Sequence, residues 1–520
     1  AAPAPDPSRP AVFVLPGILG SHLQSHGQRI WLAPRLLGGL SRLAWTGADD
    51  DGVAPDGPVG LVYDALIAHL ALSHEVLPFA FDWRRPIEDE ARRLAVAIDA
   101  ALALRDDSGM PVRIVAHAMG GLVARTLQLE CPETWQRLMA RDGARLLMLG
   151  TPNGGSWAPM QVLSGDDSFG NALAAFGSPL QDRRARQILA AMPGFLQLQA
   201  GLLEQGLDQQ ATWQRLADED LQTVRDKAWW HRNWLGADSA DQPLAVYTWG
   251  VPPQPVLDRA RQLRLRLDRQ RDEDLPTFAD KLLLVVGQAR FTPDGFAWAD
   301  EGLVYLDANN GGDGRVPLAS ALLPGVKTWQ LDCAHGSLPS EARAFVAYDE
   351  LLQQGHTERL EPLAADAGST AVAHLRSRPS RGRSSGLPAE TQASIFDNDS
   401  GDPHDSSAAG SALRVTVLNS HLAFVAQPLL LGHYRSLALT GTERVVDHLL
   451  GGAMSASLAA GLYPDAPGIV QLFANTRRDD KNPWRAPRPL AAVIVGLGDE
   501  GKLRERELAL GVRQAVLAWA

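Results

Sequence analysis

Three positions far apart in this chain carry residue types that would perform acyl chemistry if a fold joined them. The stretch VRIVAHAMGGLVAR, Val112 to Arg125, has small residues two places before and after Ala118, namely Ala116 and Gly120, with Gly121 next. That spacing suits a strand that ends in a sharp turn and re-enters as a helix, presenting the apex side chain to a substrate. A serine at the apex would be a nucleophile. Alanine has no hydroxyl, so no acyl-enzyme can form at Ala118. Asp313 lies in the glycine-rich NNGGDGRVPLASA, and His335 in WQLDCAHGSLPS. A carboxylate that orients an imidazole, and an imidazole that takes up a hydroxyl proton, are the partners such a nucleophile needs. Alone, Asp313 reads as a turn-former and His335 as a solvated loop residue. In VFVLPGILGSHL a glycine turn follows an apolar strand and can present backbone N–H groups to an oxyanion. The candidate donors are Ile18 in that turn and Met119 just after the apex; a plain strand-to-helix turn is the alternative.

These residues need elements to hold them. VFVL (Val12–Leu15), RIVA (Arg113–Ala116) and RLLMLG (Arg145–Gly150) are strand-like, and DEARRLAVAIDAALAL is helical. Strands alternating with helices predict an α/β fold with a mostly parallel sheet. Asp313 follows the strand-like GLVYLD, and His335 follows another strand. Apex, acid and histidine, each at a strand end, stand in the chain order of the α/β-hydrolase triad.

The series LPGILGS, FDWRRP, AHAMGG, GTPNGGS and GDGRVP…AHGSLP resembles the motifs of lecithin:cholesterol acyltransferase-like lipases of the α/β-hydrolase superfamily. The resemblance covers roughly Ala11 to Leu352. Its most specific parts are Asp82–Arg84 and Gly312–Pro317. It implies a serine at the position of Ala118, an acid at Asp313, a base at His335 and an oxyanion hole from Ile18 and Met119. It also implies ester hydrolysis or acyl transfer on lipids, with no cofactor or metal. Leu19 and Trp157, beside these loops, are candidate substrate contacts. The chain departs from the family at Ala118. No stand-in is evident: Cys333 precedes His335 on one loop and reads as packing, and Ser21 and Ser156 lie in structural turns. Retention of every other part favours replacement of a serine by alanine over a natural pseudoenzyme or lipid-binding scaffold, and both readings stay open.

The wider composition sets the bounds. At 520 residues the chain is expected to hold more than one core. A net charge of −11 argues against a dedicated nucleic-acid binder. Cys131 and Cys333 have neither metal-ligand spacing nor a disulfide framework. With no membrane-spanning run and no signal-peptide core, a cytoplasmic location is expected. Residues 1–354 form the expected hydrolase unit, with a cap at about 157–241 carrying Trp157, Trp213, Trp229, Trp230 and Trp234. Such a cap suits an acyl chain or peripheral membrane contact, although most of its tryptophans would fill its own core. The basic run Asp258 to Asp274 reads chiefly as a solvated helix face, with anionic lipid as the alternative. Residues 355–411, rich in Ser, Pro, Gly and charge, read as a linker.

Residues 412–520 form an expected second α/β unit. VVDHLLGGAMSASLAAG and AAVIVGLGDEGKL resemble the macrodomain-like N-terminal domain of leucine aminopeptidases. The metal-binding peptidase domain of that family is missing here. Gly451, Gly452, Gly496 and Gly498 are the candidate points at which backbone approaches a ligand, protein partner or second copy. A unit of that kind suggests a regulated effector as a further reading.

Overall fold

The computed structural model describes residues 5–31, 39–47, 51–165, 182–235, 249–289, 291–299, 302–308 and 311–363. Of the C-terminal part it describes residues 422, 425, 427–436, 438–475, 488–499, 503 and 505–519.

The chain has an α/β-hydrolase fold built on a seven-stranded sheet. Its strands are β1 (Ala11–Leu15), β5 (Glu75–Pro78), β6 (Val112–His117), β7 (Leu146–Leu149), β8 (Leu282–Val286), β11 (Lys327–Gln330) and β12 (Glu361–Pro362). The order is β12-β11-β8-β7-β6-β1-β5, parallel except for the last-formed pair β11 and β12. The central strands β1, β6, β7 and β8 are buried at every residue, as their unbroken apolar runs require of a sheet covered on both faces. Helices α1 (Gly60–Leu70), α2 (Ile87–Ala103), α3 (Met119–Glu130) and α4 (Pro132–Ala140) follow in chain order. A small antiparallel sheet of β2 (Ser21–Ser25), β3 (Gln28–Trp31) and β4 (Val53–Pro58) leaves the first strand. The hairpin β9 (Pro293–Ala299) and β10 (Gly302–Asp307) precedes Asp313.

Two boundaries differ from expectation. The neighbour of β7 in the sheet is β8, so the excursion between core strands runs on to Lys281 and includes the helix Gln254–Glu273. The strand-like AVYTW stretch expected to close the cap lies almost wholly outside the described residues. The sheet also reaches Pro362, past the expected boundary at 354, because a two-residue antiparallel strand has no hydrophobic period to read. Most of the expected linker, from residue 364 on, lies outside the described residues, as do the side chains of Trp229, Trp230 and Trp234. Trp213 is buried, its indole N–H donating to Leu207 O at 2.8 Å.

The helix Gln254–Glu273 buries Leu257, Ala260, Leu263, Arg264, Leu267 and Gln270 along one face. Its outward arginines meet carboxylates: Arg261 with Asp208, Arg266 with Glu130, Arg269 with Glu273. Among the described residues no helix is long and apolar enough to cross a membrane.

Helix α2 opens with Glu88, Asp89 and Glu90, which favour the positive end of the helix dipole. Glu90 is fully buried, and burial pushes its carboxyl up to about 7 against the pull of Arg93. Its folded pKa therefore lies above the unfolded value of about 4.5. Between those values the native state holds more protons than the unfolded chain, so this group's contribution to stability is lost as pH rises through the window. Urea unfolding should show the present chain losing up to about 3 kcal/mol more than Glu90→Gln between pH 4.5 and pH 8. Parallel pH profiles for the two proteins would contradict this.

A second sheet lies in the C-terminal part, with β13 (Leu429–Tyr434), β14 (Val470–Ala474) and β15 (Ala491–Gly498) in the order β13-β15-β14. β13 runs parallel and β14 antiparallel to β15. Val446, Leu450, Met454, Phe473 and Ile494 belong to a buried cluster formed by residues of this part alone.

Candidate active site

Ala118 joins β6 to α3 with φ 48° and ψ −118°. A non-glycine residue held there costs on the order of 1–3 kcal/mol, and the surroundings must impose it. They do so through Ala118 N–H to Leu149 O at 2.9 Å and Gly121 N–H to Ala118 O at 3.0 Å. The small flanking residues have a packing cause. A Cβ on Gly120 would lie 2.6 Å from Pro16 O, and one on Gly121 would collide with the Thr151 side chain.

The acid and the imidazole meet. His335 Nδ1 is 2.7 Å from Asp313 Oδ2, with Asp313 buried and His335 partly open. Asp313 Oδ1 accepts the N–H groups of Arg315 (3.0 Å) and Val316 (2.7 Å), which leaves Oδ2 for the ring. The backbones are tied as well, His335 N–H donating to Asp313 O at 2.8 Å. A carboxylate can only accept, so Nδ1 carries a proton in this pair and Nε2 of the neutral ring is the free base. Two glycines make room: a Cβ on Gly150 would lie 2.9 Å from Asp313 Oδ2, and one on Gly287 would lie 2.9 Å from Asp313 Cβ. The His335 ring stands against that of His117, the residue before Ala118, with centroids 5.1 Å apart. Cys333 is half-buried against the main core, and its carbonyl accepts Gln288 N–H.

The turn after β1 crosses the elbow. A Cβ on Gly17 would lie 3.1 Å from Ala118 Cβ. Among the described residues neither Ile18 N–H nor Met119 N–H has a hydrogen-bond acceptor. Two such donors beside the apex are what a developing oxyanion requires. Gly17, Ala118, Gly150, Gly287 and the His335 loop all sit at the carboxyl ends of parallel strands, where open α/β sheets place their sites.

Leu19 is held at φ 63° and is nearly buried; its carbonyl accepts the Trp31 indole N–H at 2.8 Å. Trp157 is buried at the root of the cap, donating to Asp294 Oδ1 at 3.3 Å and packing edge-on to Phe296. Both therefore take part in packing. The Asp82–Arg84 motif builds a buried ion cluster beside the site. Arg84 forks onto Asp82 (2.9 and 2.6 Å) and reaches Asp51 at 2.9 Å. Arg84→Met would leave two buried carboxylates without their cation and should destabilise the protein by about 3–5 kcal/mol in chemical denaturation. A loss below about 1 kcal/mol would show that the cluster does not hold this loop.

The sequence left unassigned a strap, residues 193–200, that spans the site. Gly194 N–H donates to Arg84 O at 3.1 Å, and a Cβ there would lie 2.5 Å from both Trp83 O and Arg85 O and 2.8 Å from Met119 Cε. At its other end Ser156 N–H donates to Leu198 O and Ala200 N–H to Ser156 O. Between them Gln197 Oε1 accepts Ile87 N–H at 2.7 Å. The small residue at 194 and the polar ends of Gln197 and Gln199 were its only signals. Tyr63 was also missed: it falls in register with the apolar residues Val62, Leu66 and Leu70 of α1 and reads as core.

In the C-terminal part the four candidate glycines meet the chain itself. Gly451 and Gly452 have φ 74° and 85° in a helix-to-helix turn, where Asp447 Oδ1 accepts the N–H groups of Met454 and Ser455. A Cβ on Gly496 would collide with Ala466 backbone, and one on Gly498 would lie 2.9 Å from Pro467 Cδ. Close by, buried His433 pairs through Nδ1 with Glu443 (2.9 Å), which also accepts the Tyr463 hydroxyl.

Residues 69–221 match the family model described as Lecithin:cholesterol acyltransferase. A search of curated proteins returned no match. Among solved structures, the mature form of the Bacillus licheniformis lipase BlEst2 is similar at 13% identity and a TM-score of 0.31, covering 68% of this chain and 96% of that one. The Tle4–Tli4 complex is similar at 14% identity and a TM-score of 0.39, covering 66% and 98%. The matched segment spans α2, the elbow and the strap, and it sets a lecithin:cholesterol acyltransferase-family stretch, residues 69–221, into the α/β-hydrolase fold of this chain.

Proposed function

We propose that the first part of the chain is a serine-type lipid ester hydrolase, a lipase or phospholipase with acyl transfer as the related outcome. It stands here in a nucleophile-minus form because Ala118 occupies the serine position. The observation that carries this reading is the backbone at Ala118. An alanine gains nothing from φ 48° and ψ −118°, whereas a nucleophile held there is thrust toward substrate. The Asp313–His335 pair and the open N–H groups of Ile18 and Met119 support the same reading. The apolar, partly buried strap and cap suit an acyl chain. The C-terminal unit is proposed as a docking or regulatory module, since it has its own buried cluster.

A fluorophosphonate probe tests the reading. It should label Ala118→Ser at position 118 and leave the present chain unlabelled. A folded, unlabelled serine variant would favour a pseudoenzyme or lipid-binding scaffold.

A further inference from the structure

Three hydrogen bonds run beneath Ala118 in one line. Gly17 N–H donates to Tyr63 Oη at 2.9 Å. Tyr63 Oη is 2.8 Å from His117 Nδ1. His117 Nε2 is 3.0 Å from the backbone oxygen of His335. The proton positions follow from the partners. A carbonyl oxygen can only accept, so His117 Nε2 bears a proton. In a neutral ring Nδ1 then has only a lone pair and accepts the Tyr63 hydroxyl proton. The Tyr63 oxygen in turn receives Gly17 N–H. Every group has one direction available, and the line reads Gly17 to Tyr63 to His117 to His335.

The surroundings favour these neutral forms. Tyr63 and His117 are buried. Burial, and then the neighbouring His335, lower the His117 pKa to about 3, and burial raises that of the Tyr63 hydroxyl. No acidic side chain hydrogen-bonds to either group among the described residues. Gly20 is held to the same turn by its N–H to Gly17 O, and a Cβ on it would lie 2.8 Å from Tyr63 Oη. The line therefore has no slack at its Gly17 end.

We propose that Tyr63 and His117 are positioning residues that lock the Gly17–Ile18 turn and the His335 loop to each other across the elbow. One end of the line orients the peptide that presents Ile18 N–H. The other end fixes the main chain that carries the base. Neither side chain touches the reacting atoms; they set where an oxyanion donor and a base stand relative to position 118. This inference rests on the ester-hydrolase reading of the site.

The test has two arms. In the present chain, ¹⁵N spectra of the His117 ring should show a neutral ring protonated at Nε2 from pH 5 to pH 9. A charged ring, or a proton on Nδ1, overturns the line itself whatever the activity. In the Ala118→Ser background, Tyr63→Phe removes the middle of the line. It should lower kcat about ten- to a hundredfold with KM little changed, as expected when an interaction used in the transition state is lost. His117→Gln keeps an N–H able to reach His335 O but breaks the link to Tyr63, and should give a similar loss. Because both changes break one link, the double variant should lose no more than the worse single variant. Additive losses, or unchanged kcat in folded variants, overturn the positioning role. If Ala118→Ser itself is folded and inactive, the ester-hydrolase reading fails and the positioning role fails with it, while the ring spectra still decide whether the line exists.

Discussion

Ala118→Ser should raise turnover of a short-chain ester by on the order of 10⁶ over the present chain, with unchanged thermal stability. The size follows from what is already in place. The backbone at residue 118 has the φ 48° conformation of an elbow, so a serine brings no new strain. Its Oγ would extend from a Cβ bordered by Gly17, with the His335 ring against the adjoining His117. The base has its proton on the side facing Asp313 and its lone pair on the other. A triad without its nucleophile retains only binding and oxyanion contributions, so the missing oxygen accounts for most of the deficit. Burst and steady-state kinetics on p-nitrophenyl esters, followed by a lipid panel, measure the gain. A rise of less than tenfold in a folded variant would remove the proposed chemistry from this site.

In that restored protein, Asp313→Asn should cost about 10⁴ in kcat. An asparagine can keep its oxygen toward Arg315 N–H and Val316 N–H, which turns its amide N–H toward His335 Nδ1. The ring must then accept at Nδ1 and carry its proton at Nε2, the wrong tautomer for taking up a serine proton. His335→Ala should cost at least as much. Neither change should alter KM by more than a few-fold, because neither side chain is assigned to bind the acyl group. Retention of more than a tenth of the restored activity in either variant would show that the acid or base has been misassigned.

Much of the frame was legible because its causes are local. The unbroken apolar runs at Val12–Leu15 and Arg113–Ala116 read as strands and are central strands, and the small residues around Ala118 read as an elbow. Gly150 and Gly287 were not legible as part of the site. Their meaning lies in Asp313, which reaches them from a distant loop. The strap at residues 193–200 is pinned by main-chain bonds, which leave little trace in side-chain type. Tyr63 follows an apolar stripe, so its ring fits a core position and only its hydroxyl reaches His117. The terminal strand Glu361–Pro362 is too short and too exposed to show any period.

The glycines around position 118 also decide where this protein can change. A side chain at Gly17 would press on Ala118, one at Gly120 on the main chain of Leu15 and Pro16, and one at Gly150 or Gly287 on Asp313. Each of those neighbours is backbone or part of the site, so none can yield without moving the reacting geometry. The chemical centre is thus closed to gradual variation, and drift in substrate preference is confined to the excursion between β7 and β8. Relatives with this centre would diverge in diet while keeping one chemistry, and the sequence record of their history would be written in the cap.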